Sequence, residues 1–397
     1  MLRGVLQPAH PLWMCSFRSF FLVAALTAPV LVLLWLCFLA LGLPLPAVAG
    51  GPLVWHAHEL IFGFAMAAVA GFALTAIPEF THTAAIDRRP VRMLVALWCC
   101  GRLAFWSSGL LGTPALLVSA VVHLALPGGL IWLLAPRVWR APERRHLAFV
   151  WAFAALGVCA AGFYVEAFLG AQPMRWLHAA LGVLMMLIVV AMSRISMRIV
   201  NAAIAAAGAA GTEYRARPPH RNLAIFCIGL YTLAELFVPD LRLTGWLALA
   251  AAAALLHLLN DWHIGRPLFR RWPLMLYGVY VAMAAGYALM GTSLLLGGGT
   301  FSGGRHLLTV GALGLNIFLV MCIAGRTHSG QPLDEGFWVP LAAALIVGAA
   351  LLRAGSHHVV AGLLWTAAFA LCAWHLVPLW LRPRDDGRTG CEGFVEP

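Results

Sequence analysis

Fifteen of the 397 residues are histidine, a high count for a chain in which only 10% of residues are charged. The densest cluster is Trp55-His56-Ala57-His58-Glu59; His178 follows Trp176-Leu177, and His306 follows Arg305. Neutral imidazole ligates haem iron and copper, and helix bundles house such groups between facing helices. Ionisable side chains are expensive inside a membrane and usually have a purpose there. His58 precedes Gly63 by five residues, His178 precedes Gly182 by four, and His306 precedes Gly311 by five. A histidine opening every fourth helix predicts an approximately threefold arrangement converging on one metal site. His58, His178 and His306 are its expected ligands, with His56 a fourth candidate. Positions i and i+2 differ by about 200° on an α-helix, so His56 and His58 share a face only if the helix begins between them. Glu59, Glu166 and Glu235 are expected to accept the second ring N–H of ligating histidines and so fix their tautomers. A plainer reading has histidine, tryptophan and arginine at helix ends anchoring the headgroup region, and it is favoured for His357 and His358.

Other polar residues carry weaker signals. Arg102 falls near the middle of the third apolar run and needs a carboxylate, a carbonyl or a cofactor propionate. His123 lies about a third of the way down the fourth run, and His328 follows His306 by 22 residues. His257 and Asp261, spaced i and i+4, are expected to pair on one helix face. Nine cysteines occur without a CxxC, which excludes a zinc ribbon, a thioredoxin-like pair and a covalently attached c-type haem. Most lie in apolar runs, where thiols, Cys99-Cys100 included, read as packing; no disulfide is expected.

The elements that must position these residues are membrane helices. With 62% hydrophobic residues and a mean hydropathy of +0.88, the chain is neither an ordinary soluble enzyme nor disordered nor a nucleic-acid-binding domain. Apolar runs of spanning length fall at 19–43, 55–80, 91–112, 115–136, 146–169, 176–200, 221–239, 243–264, 272–294, 304–325, 336–354 and 357–381. The fold class is therefore all-α: a polytopic transmembrane bundle of about twelve helices in a lipid bilayer. The first run is too long for the apolar core of a signal peptide. All 26 basic residues are arginine; nineteen lie at the termini and on alternate connections, against four on the others. That bias places both termini in the cytoplasm and the opening histidines near the periplasmic face. Residues 1–381 form one membrane domain with possible halves 1–206 and 221–381. Residues 382–397 form a polar cytoplasmic tail expected to be disordered.

The motifs resemble those of the NnrS family of bacterial haem- and copper-containing membrane proteins. Phe17-Arg18-Ser19-Phe20-Phe21 is similar to the family's FRPFF, Trp55 to Phe64 to WHAHEMLFGF, Gly71 to Pro78 to GFLLTAVP, and Leu97 to Arg102 to LWLAGR. Further on, His306 to Gly314 resembles HALTVGAIG and Thr327 to Leu333 resembles GHTGRPL. Departures are Ser19 for a proline, Pro78-Glu79-Phe80-Thr81 for PNWTG, Ser193 to Asn201 for RVIPFFTRN, and Tyr277 where many members carry histidine. The resemblance implies non-covalent b-type haem, copper, and relief of nitric oxide stress at a bacterial inner membrane, in the setting of denitrification. It implies neither a reaction nor an electron donor. Two other classes fit in part. A secondary transporter suits twelve helices, and Ala85-Ile86-Asp87-Arg88-Arg89 faintly resembles a major-facilitator loop. That loop lacks its flanking glycines, however, and the histidines lie at helix ends rather than at the midplane, where transporters bind. A redox enzyme akin to haem-copper oxidases suits histidines on helices 2, 6 and 10, but that rests on architecture alone, and the paired histidine of its helix 7 is missing.

Overall fold

A computed structural model of the chain describes residues 7, 9–142, 144, 146–208, 213–239, 242–388 and 390–393. Among these residues there is no strand, and each apolar run is helical. The long helices are α1 (Ser16–Leu41), α2 (Gly51–Phe80), α3 (Arg88–Trp106), α4 (Thr113–Arg140), α5 (Leu147–Leu169) and α6 (Met174–Ala205). They continue with α7 (Pro218–Phe237), α8 (Arg242–Leu258), α9 (Arg271–Leu296), α10 (Phe301–Thr327), α11 (Trp338–Ala354) and α12 (His358–Trp380). Among the described residues nine helices are long and apolar enough to cross a membrane. The nine count α8 together with the turn that carries it on to Trp262; the other three are α3, which carries Arg88, Arg89, Arg92 and Arg102, α7, which begins with Pro218-Pro219-His220-Arg221-Asn222, and the 17-residue α11. The fold is an all-α polytopic bundle, because only helices satisfy the backbone of such apolar segments within the segment itself.

The chain forms two compact units. The first holds the described residues up to Ala180, Val320–Ala342 and the described residues from Thr366 onward; the second holds Leu181–Leu319 and Ala343–Trp365. Each unit contains one interrupted helix. In α2 the α-helix runs to His58 and gives way to a π-helical stretch over Glu59–Ala65; in α10 it runs to His306 and gives way to one over Leu307–Gly314. These are the two helices in which histidine precedes glycine by five residues. In α6, where the interval is four, the helix is regular. A π turn closes hydrogen bonds from i to i+5 and is rare outside functional sites.

Three expectations are corrected. The tail is not loose over its described part: Arg384 is buried and donates to the carbonyl oxygens of His328, Gly390 and Glu392. Cysteines do pair, since Cys15, just before α1, is disulfide-bonded to Cys391, with Cα atoms 5.2 Å apart. Residues at opposite ends of the sequence meet because the tail folds back around Arg384. His257 does not pair with Asp261, because α8 ends at Leu258 and Leu259–Trp262 tightens into a 3₁₀ turn, which breaks the i, i+4 spacing. Asp261 instead accepts from His220 Nδ1 at 2.9 Å and from the Arg217 backbone N–H, while the His257 ring packs on His220.

Candidate functional site

The polar network of the first unit is built around α2. His56 and His58 leave that helix on different faces. His56 stacks on Trp35 of α1 with ring centroids 4.3 Å apart, whereas His58 is fully buried against Phe105 of α3 at 3.8 Å and Phe163 of α5 at 4.8 Å. Glu59, also buried, accepts from His58 Nδ1 at 3.0 Å and lies 3.3 Å from an Arg102 guanidinium nitrogen. A buried guanidinium needs such a partner, and Glu59 answers the sequence question of what Arg102 would find.

Two glycines make the close approach possible. A Cβ on Gly63 would sit 2.7 Å from Arg102 Nη1, so with any larger residue the guanidinium would have to shift from its place against the π turn of α2 and from Glu59. The Gly63 carbonyl accepts from Trp98 Nε1 at 3.0 Å, and the Trp98 ring lies under the guanidinium. On α3, a Cβ at Gly101 would sit 3.0 Å from His123 Cε1, so the His123 ring fills the space a side chain would take.

Tyr164 of α5 joins the histidines. Its hydroxyl lies 3.3 Å from His58 Nε2, 2.8 Å from His123 Nδ1 and 2.7 Å from Ser119 Oγ. His123 Nδ1 is also 2.7 Å from the Ser119 carbonyl, one turn back on α4. Donor counting leaves one consistent arrangement. The Ser119 carbonyl can only accept, so His123 carries its proton on Nδ1. Glu59 as a carboxylate can only accept, so His58 carries its proton on Nδ1 too. Tyr164 then donates to His58 Nε2 and accepts from the Ser119 hydroxyl, and the one His123 Nδ1–H is shared between the Ser119 carbonyl and the Tyr164 oxygen. One lone pair remains: His123 Nε2 is buried with no hydrogen-bond partner among the described residues. Arg102 Nε is likewise buried without one.

The remaining sequence candidates have their own surroundings. His178, in the first unit, is half-buried near the start of α6. His306, in the second unit, donates from Nδ1 to the Ser302 carbonyl at 2.7 Å. Glu166 is held by Arg175, with Nε 2.6 Å from Oε1, and Glu235 is ion-paired with Arg305; both carboxylates face arginine rather than a histidine ring. His328 donates from Nδ1 to the Cys391 carbonyl at 2.7 Å, with Nε2 3.4 Å from Glu79. Among the described residues no group of three or more His, Cys, Asp or Glu side chains is spaced to hold a metal ion unaided. Sequence reasoning missed Tyr164 and Ser119. The i, i+4 interval from Ser119 to His123 was a readable signal, as was one of only six tyrosines lying inside an apolar helix.

Chemically, the arrangement offers a buried imidazole nitrogen of fixed tautomer, an aromatic surround, and a guanidinium with donor capacity to spare. A family model described as NnrS protein matches residues 11–384. No curated protein matches the chain.

Proposed function

From the premise that the chain belongs to the NnrS family of nitric-oxide-associated, multi-pass membrane proteins, we propose that it binds haem, with copper as the alternative metal, and relieves nitric oxide stress at a bacterial inner membrane. The observation that carries the metal reading is the unpartnered, buried Nε2 of His123.

The residues present fit a haem better than an isolated copper ion. One open imidazole suffices as an axial haem ligand. Copper would need further donors, and the nitrogens of His58 are engaged by Glu59 and Tyr164. In this reading His123 Nε2 supplies the ligand, and the Ser119 carbonyl holds the ring in the tautomer that keeps the lone pair free. Arg102, with a free Nε donor, would be the residue to hold a propionate. Phe105 and Phe163 exclude water from the His58 side. Bound there, the group would supply a metal able to take up nitric oxide. Nitric oxide is uncharged and lipid-soluble, so it needs no gated path.

His178, His306 and His56 remain proposed donors on their own helices. An optical spectrum and metal analysis of detergent-purified protein test the reading. A Soret band that shifts when nitric oxide is added to reduced protein, and bound haem that falls about 10-fold or more in His123→Ala, are expected. A silent, metal-free protein from haem-replete cells overturns it. Equal growth of deletion and parent strains under a nitric oxide donor overturns the physiological part.

A further inference from the structure

Cys15 and Cys391 lie 376 residues apart in sequence and are bonded in the structure. Each is held in place by more than the bond. Cys15 is buried, 3.9 Å from Thr75 Oγ1 of α2, and the same hydroxyl oxygen accepts from the Phe17 backbone N–H at 3.1 Å. Cys391 is half-buried, and its carbonyl accepts from His328. Arg18 donates to the carbonyls of Trp380 and Arg382, drawing the exit of α12 onto the start of α1. The two cysteines are thus preplaced by contacts other than the bond itself, and their Cα spacing lies in the range a disulfide needs.

This end of the unit carries Arg18, Arg326, Arg382, Arg384 and Arg388, and the arginine bias turns it toward the cytoplasm. Cytoplasmic thiols are kept reduced, and disulfides that do form there are generally transient or redox-sensing. We propose that Cys15 and Cys391 form a thiol–disulfide exchange site for low-molecular-weight disulfides, which locks the C-terminal tail covalently onto the start of α1 when oxidised and leaves it held by hydrogen bonds alone, and so more readily opened, when reduced.

The exchange balances as two displacements. The more accessible Cys391, as thiolate, attacks one sulfur of the small disulfide; its S–S bond breaks, one small thiolate leaves, and a mixed disulfide stands on Cys391. Cys15, as thiolate, attacks Cys391 Sγ and expels the second small thiolate. Two electrons pass from the protein dithiol to the small disulfide, and the two cysteine protons end on the thiols released.

The test uses full-length protein in lipid nanodiscs, equilibrated in buffers of stepped oxidised-to-reduced glutathione ratio, quenched with acid and alkylated with a polyethylene-glycol maleimide. Two thiols should disappear together as the ratio rises, and peptide mapping should assign them to Cys15 and Cys391. Trypsin should cut between Arg382 and Arg388 several-fold faster in the reduced form. Cys391→Ser, a change outside the membrane helices, should abolish the paired loss and stay fast-cut at every ratio. Thiols that remain alkylatable throughout, or a pair mapped to other cysteines, overturn the proposal. So does a bond that glutathione never opens, or an active alkaline phosphatase fused after Pro397, since either makes the bond a permanent one.

Discussion

The Tyr164 hydroxyl lies 3.3 Å from His58 Nε2, and through this contact a phenol on α5 satisfies a ring nitrogen on α2 that would otherwise be buried bare. The same oxygen accepts from the Ser119 hydroxyl and shares the His123 Nδ1 proton with the Ser119 carbonyl, so one atom joins three side chains on two other helices.

Tyr164→Phe tests that arrangement. It keeps the ring and strands His58 Nε2 and the Ser119 hydroxyl, an expected loss of about 1–3 kcal/mol. Thermal unfolding in detergent measures it. Ser119→Ala should cost less, because His123 keeps the Ser119 backbone carbonyl.

Glu59 and Arg102 should behave as a pair. Glu59→Gln leaves a buried guanidinium without its counter-charge, expected to destabilise by about 3–5 kcal/mol. Combining it with Arg102→Met should recover most of that loss. A double-mutant cycle of unfolding midpoints in denaturant checks it, and additive losses would mean that the two charges do not depend on each other.

Gly63→Ala places a methyl group 2.7 Å from the Arg102 guanidinium. The expected penalty is about 1–3 kcal/mol from overpacking. Gly128→Ala is the control: nothing lies within 4 Å of its added Cβ, so the helix-propensity gain of up to about 1 kcal/mol should appear unopposed. Unfolding midpoints of the two variants should move in opposite directions.

Asp386 responds to acid. Its hydrogen bonds from Arg384 hold its carboxyl down from 3.8 to about 2. A pKa lowered on folding contributes stability that is complete above the unfolded value and is lost as pH falls through the folded one. The tail should therefore loosen as pH drops from about 4 to about 2. Hydrogen exchange of the amides around Arg384, compared with Asp386→Asn, measures this; the variant should lose the pH dependence within that window.

Helices were the legible part of this chain, for a physical reason. Long apolar runs admit only one backbone solution in a membrane. The five-residue interval from His58 to Gly63 held a trace of the π turn that the structure reveals. Which groups meet was harder to read. Arg102 finds Glu59 only through the rotation of α3 against α2, which no single-helix pattern encodes. Glu166 and Glu235 looked available to histidines until Arg175 and Arg305 took them. The Cys15–Cys391 bond depends on the path of a tail whose polarity suggested disorder, and Arg384 sets that path by gathering three backbone carbonyls.

The π turn of α2 makes the length of a short segment matter as much as its chemistry. A π turn holds one residue more than the α-helix it interrupts, and one residue is about 100° of rotation. His58 stands before the turn and Thr75 after it, and each has its own anchor: Tyr164 for the first, the Phe17 amide for the second. Removing any single residue of Glu59–Ala65 would let α2 relax into an unbroken helix and turn its far half by that angle, so that one anchor could be kept only by giving up the other. A substitution along this stretch is felt at the contacts of the side chain it changes; a change in residue count is felt along the whole far half of the helix.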